Sequence, residues 1–295
     1  MNSPIIESYV ARHNALLRDA VERADIPVVL LKEAVRYSLF PGGKRLRPIL
    51  VYLSGLIANA SIESLDCIGI AIEVMHCYSL VHDDLPAMDN DDFRRGRPSV
   101  HRAFGEATAI LVGDGMQGFA SRVLLEQLPS LLPENRVISI VLELINASGF
   151  SGMVSGQSLD LHELCQPNIP EEKLRHIHRL KTGTLFSSCI NMALLAGNAS
   201  EETTTALQQY AYILGIVFQM QDDYNDRYGS IDHHGKNRAS DEANHKSTYA
   251  SLFSQQDLLG LIDQYYKNAQ AALEPLGSRA NALIDLTREL YQRTQ

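Results

Sequence analysis

Ile68-Gly69-Ile70-Ala71-Ile72-Glu73-Val74-Met75-His76-Cys77-Tyr78-Ser79-Leu80-Val81 runs straight into His82-Asp83-Asp84-Leu85-Pro86-Ala87-Met88-Asp89. The first of these stretches is apolar nearly all round, interrupted only by Glu73 and His76. A helix without a polar face must be covered on every side, so the segment predicts the central helix of a bundle. The second stretch places a crowd of aspartates at the end of that helix, continuing through Asp91 and Asp92. Like charges so close together repel unless something neutralises them. Pro86 should distort the turn after Asp83 and Asp84 so that Asp89 swings back toward them. Oxygen-only donors suit Mg²⁺, which keeps several waters and bridges carboxylates to phosphates. Read alone, the cluster also suits a solvated acidic loop.

A similar arrangement recurs at Gln219-Met220-Gln221-Asp222-Asp223-Tyr224-Asn225-Asp226, after another apolar segment. Asp222 and Asp226, four residues apart, share one helix face. Two carboxylates at the end of a buried helix are costly unless a cation lies between them. Gln219 lies on the same face, where its amide oxygen can point a dipole into a cavity. An ordinary polar patch explains either cluster singly, but two at apolar helix ends point to a shared divalent cation site.

Cations accompany the acids. Arg94 and Arg95 follow the first cluster, and their forked guanidiniums match phosphate oxygens bidentately. Gly42-Gly43-Lys44-Arg45-Leu46-Arg47-Pro48 sets three positive charges beside two glycines that let backbone N–H groups approach an anion. Lys181, Lys236 and Lys246 are further candidates, each individually also an ordinary surface lysine. His76 lies two turns before Asp83, while His176 and His178 have no metal-ligand context and read as structural.

Elsewhere the spacing is helical. Leu207, Tyr210, Ile213, Val217 and Met220 repeat every three or four residues, and Ser200 and Ser254 carry helix-start signals. The β-branched run 137–145 is ambiguous but long enough to prefer a helix, and residues 228–248 read as a polar loop. No linker-like shift or fixed repeat divides the 295 residues. One all-α domain over 1–295 is the expectation. Hydrophobic residues make up 45% of the chain, enough for a sizeable core. The net charge of −9 argues against general nucleic-acid or anionic-membrane binding. Cys67, Cys77, Cys165 and Cys189 form no CxxC pair and fit reduced thiols in a cytosol. The N-terminal residues lack the order of a signal peptide, and residues 68–81 fall short of a membrane span of roughly 20 residues. A soluble, cytoplasmic protein without a transmembrane segment is expected.

Taken together, the motifs resemble the trans-prenyltransferase (polyprenyl diphosphate synthase) family, and within it the bacterial farnesyl diphosphate synthases. They occur in family order: GGKRLRP at 42–48, HCYSLVHDDLPAMDNDDFRRG at 76–96, AILVGDGM at 109–116, GQSLDL at 156–161, KTGTLF at 181–186, FQMQDD at 218–223 and KSTY at 246–249. The resemblance implies an isoprenoid synthase-like helical bundle with a central cavity, working as a homodimer. Asp83, Asp84 and Asp89 would hold two Mg²⁺ ions on an allylic diphosphate, with Asp222 holding a third supported by Asp223 and Asp226. Arg94, Lys181 and Lys236 would clamp that diphosphate. Lys44, Arg47, His76 and Arg95 would bind isopentenyl diphosphate, and Thr182 and Gln219 would face the developing allyl cation, with Lys181 beside them. An aromatic at Tyr78, near Ser79, with the Leu85-Pro86 spacing, looks like the C15-producing type, although spacing alone does not make Tyr78 the floor of the cavity. C10 or C20 products, or a non-catalytic partner subunit, are the alternatives, and such a subunit would be expected to have lost one triad. Asn90, Tyr224, Asn225, Arg227, Ala239 and His245 depart from the family pattern and bear on loop closure, turnover and product length.

Overall fold

A computed structural model describes residues 3–164, 169–229 and 247–292. The helices in chain order are α1 (Pro4–Arg23), α2 (Val29–Leu39), α3 (Leu46–Ile57), α4 (Ile62–Asp83), α5 (Val100–Phe104), α6 (Glu106–Gln127) and α7 (Glu134–Ser148). They continue with α8 (Met153–Glu163), α9 (Glu171–His178), α10 (Thr184–Ala196), α11 (Glu201–Tyr228), α12 (Tyr249–Leu252), α13 (Gln255–Ala272) and α14 (Asn281–Tyr291). A wide π-type turn, Arg179–Gly183, joins α9 to α10.

The apolar run that opens the sequence becomes the core of α4, whose residues from Ser64 to Met75 are all buried. Helices α1, α2, α3, α6 and α10 pack around it, as a helix with no polar face requires. Ser61 starts α4 by accepting a hydrogen bond from Ser64 N, and Ser200 and Ser254 do the same for α11 and α13. Each such cap satisfies one of the N–H groups left over at a helix start. The reciprocal capping box appears instead at Thr248 and Ser251, ahead of α12. Residues 137–145 lie inside α7, as their length implied.

One element departs from the all-helical expectation. β1 (Phe93–Arg94) and β2 (Arg97–Pro98) form a small antiparallel hairpin with Arg94 opposite Arg97. Its two-residue turn has Arg95 at φ 54° and Gly96 at φ 76°, the double positive φ of a type I′ turn. Nothing crowds a Cβ at Gly96, so the backbone angle alone selects glycine there. The hairpin is too short to show as alternation in sequence.

By length and composition α4 is a candidate membrane span, a correction to the shorter length read from 68–81. However, 83% of its apolar window is buried inside the protein, as for a core helix. A second candidate, 134–163, is only 44% buried and is broken between α7 and α8.

Candidate active site

The acidic turn after α4 folds back on itself. Asp89 N donates to Asp83 O at 2.9 Å, and Asn90 N donates to Leu85 O at 3.1 Å. Pro86 thus leaves a loop that returns Asp89 to Asp83. Asn90 takes φ 53°, a left-handed conformation that asparagine tolerates better than most residues. Asp83 and Asp84 face different surroundings. Asp84 is buried and accepts from Arg94 Nε at 2.9 Å and from the Arg94 Nη2, which also reaches Asp91 at 3.1 Å. Burial pushes the Asp83 carboxyl up to about 6; Lys181 and Arg94 oppose this, while Asp89 and Asp160 add to it. A carboxylate held that high is one that a bound divalent cation would relieve.

Lys181 and Thr182 lie in the π-type turn, a backbone form frequent at functional sites. Lys181 Nζ pairs with buried Asp160 at 2.9 Å. Gly156, one turn earlier on α8, permits this approach: a Cβ there would stand 2.1 Å from Lys181 N. Thr182 Oγ1 donates to Gln219 Oε1 at 3.0 Å, and Gln219 Nε2 donates to Asp223 Oδ1 at 3.0 Å. Tyr249 N then donates to Asp223 Oδ2 at 2.8 Å. The Gln219 amide oxygen is therefore engaged by Thr182, where its spacing in sequence gave it only a cavity. Both Asp223 oxygens are likewise drawn into packing, leaving Asp222 exposed and Asp226 half-buried on the open face of α11.

A cation-rich recess centres on His76. Burial, reinforced by Arg47, Arg95, Arg94 and Arg45, pushes the His76 imidazole well below its usual range. His76 is therefore neutral and the arginines carry the charge. The Arg95 guanidinium lies over Gly43, where a Cβ would stand 3.0 Å from Nη2. Arg47 stacks on the Phe186 ring at 4.8 Å, and Phe186 meets Phe218 of α11 at 4.8 Å. Arg47 also feels the charge of Asp222. The recess and the second triad thus share α3, α10 and α11, and Lys181 connects the second triad's neighbourhood to Asp83. Lys44 is exposed at the mouth of the Gly42–Gly43 loop.

Arg45 is a correction to the reading of three available cations in that loop. It is 2% exposed and turned inward, pairing with Glu73 at 2.5 Å and donating to Asn14 Oδ1 at 2.9 Å and Leu39 O at 2.7 Å. Glu73, which looked like an interruption of the apolar helix, is Arg45's partner. Asp160 was likewise missed; its signal is an acid four residues after a glycine in Gly156-Gln157-Ser158-Leu159-Asp160.

Tyr78 is buried on α4 with its ring edge-on to His82 at 5.7 Å. Ser79 Oγ donates to His76 O at 2.9 Å. His178 packs on the Tyr249 ring at 5.4 Å, in keeping with a structural role. Lys236, Lys246, Ala239, His245 and Cys165 lie outside the described residues. Among the described residues, no three carboxylate, imidazole or thiol groups converge closely enough to hold an ion unaided. Hard oxygen donors in the two acidic clusters suit an ion that shares its ligands with a phosphate.

Residues 28–276 match the family model described as polyprenyl synthetase. The chain belongs to this family. It is 39% identical over 274 residues to the farnesyl diphosphate synthase of Escherichia coli, covering 91% of this chain and 90% of that protein. Among solved structures, the geranyltransferase from Legionella pneumophila superposes with a TM-score of 0.91 at 49% identity, over 98% of this chain and 96% of that one. The geranyltransferase from Helicobacter pylori, solved with magnesium and isoprenyl diphosphate, superposes with a TM-score of 0.82 at 26% identity over 100% and 98% of the two chains.

Proposed function

We propose that this chain, as a single prenyltransferase domain over 1–295, is a Mg²⁺-dependent farnesyl diphosphate synthase. It joins dimethylallyl or geranyl diphosphate to isopentenyl diphosphate. The observation that carries the reading is a set of charges that act on one another: Asp83 with Asp89, Lys181 and Arg94, Asp222 with Arg47, and Arg47 and Arg95 around neutral His76. Asp83, Asp84, Asp89, Asp222 and Asp226 are the residues that would hold Mg²⁺, as three ions, with Asp223 supporting Asp222 through α11. When bound, Mg²⁺ neutralises the diphosphate and makes it a better leaving group.

The chain's own residues do the rest. Arg94, Lys181 and Lys236 bind the allylic diphosphate and orient its C1–O bond. As that bond breaks, the Thr182 hydroxyl and Gln219 amide present dipoles to the positive charge developing at C1. Lys44, Arg47, His76 and Arg95 fix isopentenyl diphosphate so that its double bond attacks C1, a new C–C bond forms, and a proton leaves to the departing diphosphate. No side-chain nucleophile is needed. Tyr78, buried one turn and more below Asp83, closes the tail cavity at C15. The exposed apolar residues Ile110 and Leu111 on α6, and Ile138, Leu142 and Ile145 on α7, beside Phe150 at 87% exposure, support a homodimer through this face.

The assay uses dimethylallyl diphosphate and labelled isopentenyl diphosphate, with Mg²⁺ or with chelator. A C15 product that vanishes with chelator is expected, and absence of condensation with Mg²⁺ present would refute the reading. Tyr78→Ala should lengthen the product; an unchanged C15 product would remove Tyr78 as the floor.

A further inference from the structure

The hairpin that carries Arg94 and Arg95 is tied to the end of α2 by Arg97, a residue with no place in either proposed diphosphate site. Arg97 lies directly across the hairpin from Arg94. Two arginines opposite each other repel unless each has a partner. Arg94 is neutralised by Asp84 and Asp91. Arg97 instead donates through Nη2 to Tyr37 O and, at 2.6 Å, to Phe40 O. These are carbonyls at the C-terminal end of α2, where the helix leaves acceptors unsatisfied and its dipole favours a cation. The guanidinium also stacks on the Tyr37 ring at 3.9 Å, and Tyr37 Oη returns a hydrogen bond to Pro98 O at 2.7 Å. The bond is thus made in both directions between β2 and α2.

The chain leaving α2 runs directly into the isopentenyl diphosphate recess. Pro41, Gly42, Gly43 and Lys44 come immediately after Phe40, and the Arg95 guanidinium already rests over Gly43. The recess draws Lys44 and Arg47 from the loop side of the tie and Arg95 from the hairpin side. The allylic site takes Arg94 from the hairpin, but Arg94 is held independently by Asp84 and Asp91.

Resting on the prenyltransferase reading, we infer that Arg97, with Tyr37, is a positioning residue that fixes the separation between Arg95 and the Gly43–Lys44 loop and so sets affinity for isopentenyl diphosphate. Substitution there should act on one substrate and spare the other.

Arg97→Met should raise KM for isopentenyl diphosphate about tenfold or more, with KM for dimethylallyl diphosphate and kcat at saturation changed by less than about threefold. Arg97→Lys, which keeps a cation for the two carbonyls but not the stacking fork, should recover most of that loss. Tyr37→Phe keeps the ring and loses only the bond to Pro98. It should move the same KM by about two- to threefold, and it serves as the second test should the methionine variant fail to fold. A purely structural role would lower the melting temperature and the active fraction without separating the two KM values. Equal rises in both KM values, or an unchanged isopentenyl diphosphate KM in the folded variants, overturns the inference. A parent enzyme that neither condenses the two substrates nor binds isopentenyl diphosphate by calorimetry overturns the prenyltransferase reading and this inference together. An active parent with indifferent variants overturns this inference alone.

Discussion

Asp83 and Asp84 are adjacent in sequence and opposite in circumstance. Asp84 is buried against Arg94, whereas Asp83 faces the acidic turn with its carboxyl pushed up to about 6 by burial. Above pH 6, in the absence of metal, Asp83 is ionised in both folded and unfolded chains but carries a desolvation cost only when folded. Asp83→Ala should therefore abolish turnover by orders of magnitude while leaving the metal-free melting temperature at pH 7 equal or higher. Asp84→Asn should also lose turnover, but it leaves the Arg94 guanidinium with Asp91 alone and costs on the order of 2 kcal/mol. Thermal melts beside kinetics separate the two; equal destabilisation by both would contradict this division of roles.

At the scale of elements, the packing of α1 against α3 and α4 buries His13 completely, with both ring nitrogens lacking a hydrogen-bond partner. Burial pushes its pKa down to about 4; Glu73 and Asp66 pull upward, and Arg45 adds to the lowering. The ordinary value is 6.5, so between pH 6.5 and 4 the unfolded chain takes up a proton that the folded chain refuses. Stability should fall by about 3 kcal/mol across that window, fully present above 6.5 and lost toward 4. His13→Phe should flatten this acid limb in pH-dependent denaturant melts; an unchanged slope would contradict it. The same packing shows what the sequence carried. The all-round apolarity of 68–81 was enough to place α4 at the centre, and Pro86 was enough to fold Asp89 back. The Arg45–Glu73 pair, the Lys181–Asp160 pair and the hairpin turn at Arg95–Gly96 were not legible. Each depends on which side chain a distant element presents, and a two-residue strand has no period to detect. The bond from Thr182 to Gln219 was not legible either, because spacing gives the face of a helix and not the partner waiting on the next one.

For the whole molecule, the recess, the acidic turn and the second triad are brought together by helices from across the chain: α3 and α4 on one side, α8, α10 and α11 on the other. The exposed apolar residues of α6 and α7 are the face proposed for the homodimer. Leu142→Asp with Ile145→Asp should turn a dimer into a monomer by sedimentation; a species already monomeric in the parent would contradict the homodimer. Under the proposed function, both acidic clusters grip one diphosphate. The most direct test is a double-mutant cycle of Asp83→Ala and Asp222→Ala, read as Mg²⁺-dependent binding of an unreactive allylic thiodiphosphate by calorimetry. Each single change should cost about as much as the pair, because either cluster alone loses the grip. Strictly additive losses, or binding that survives both changes, would show that the two triads do not share a ligand.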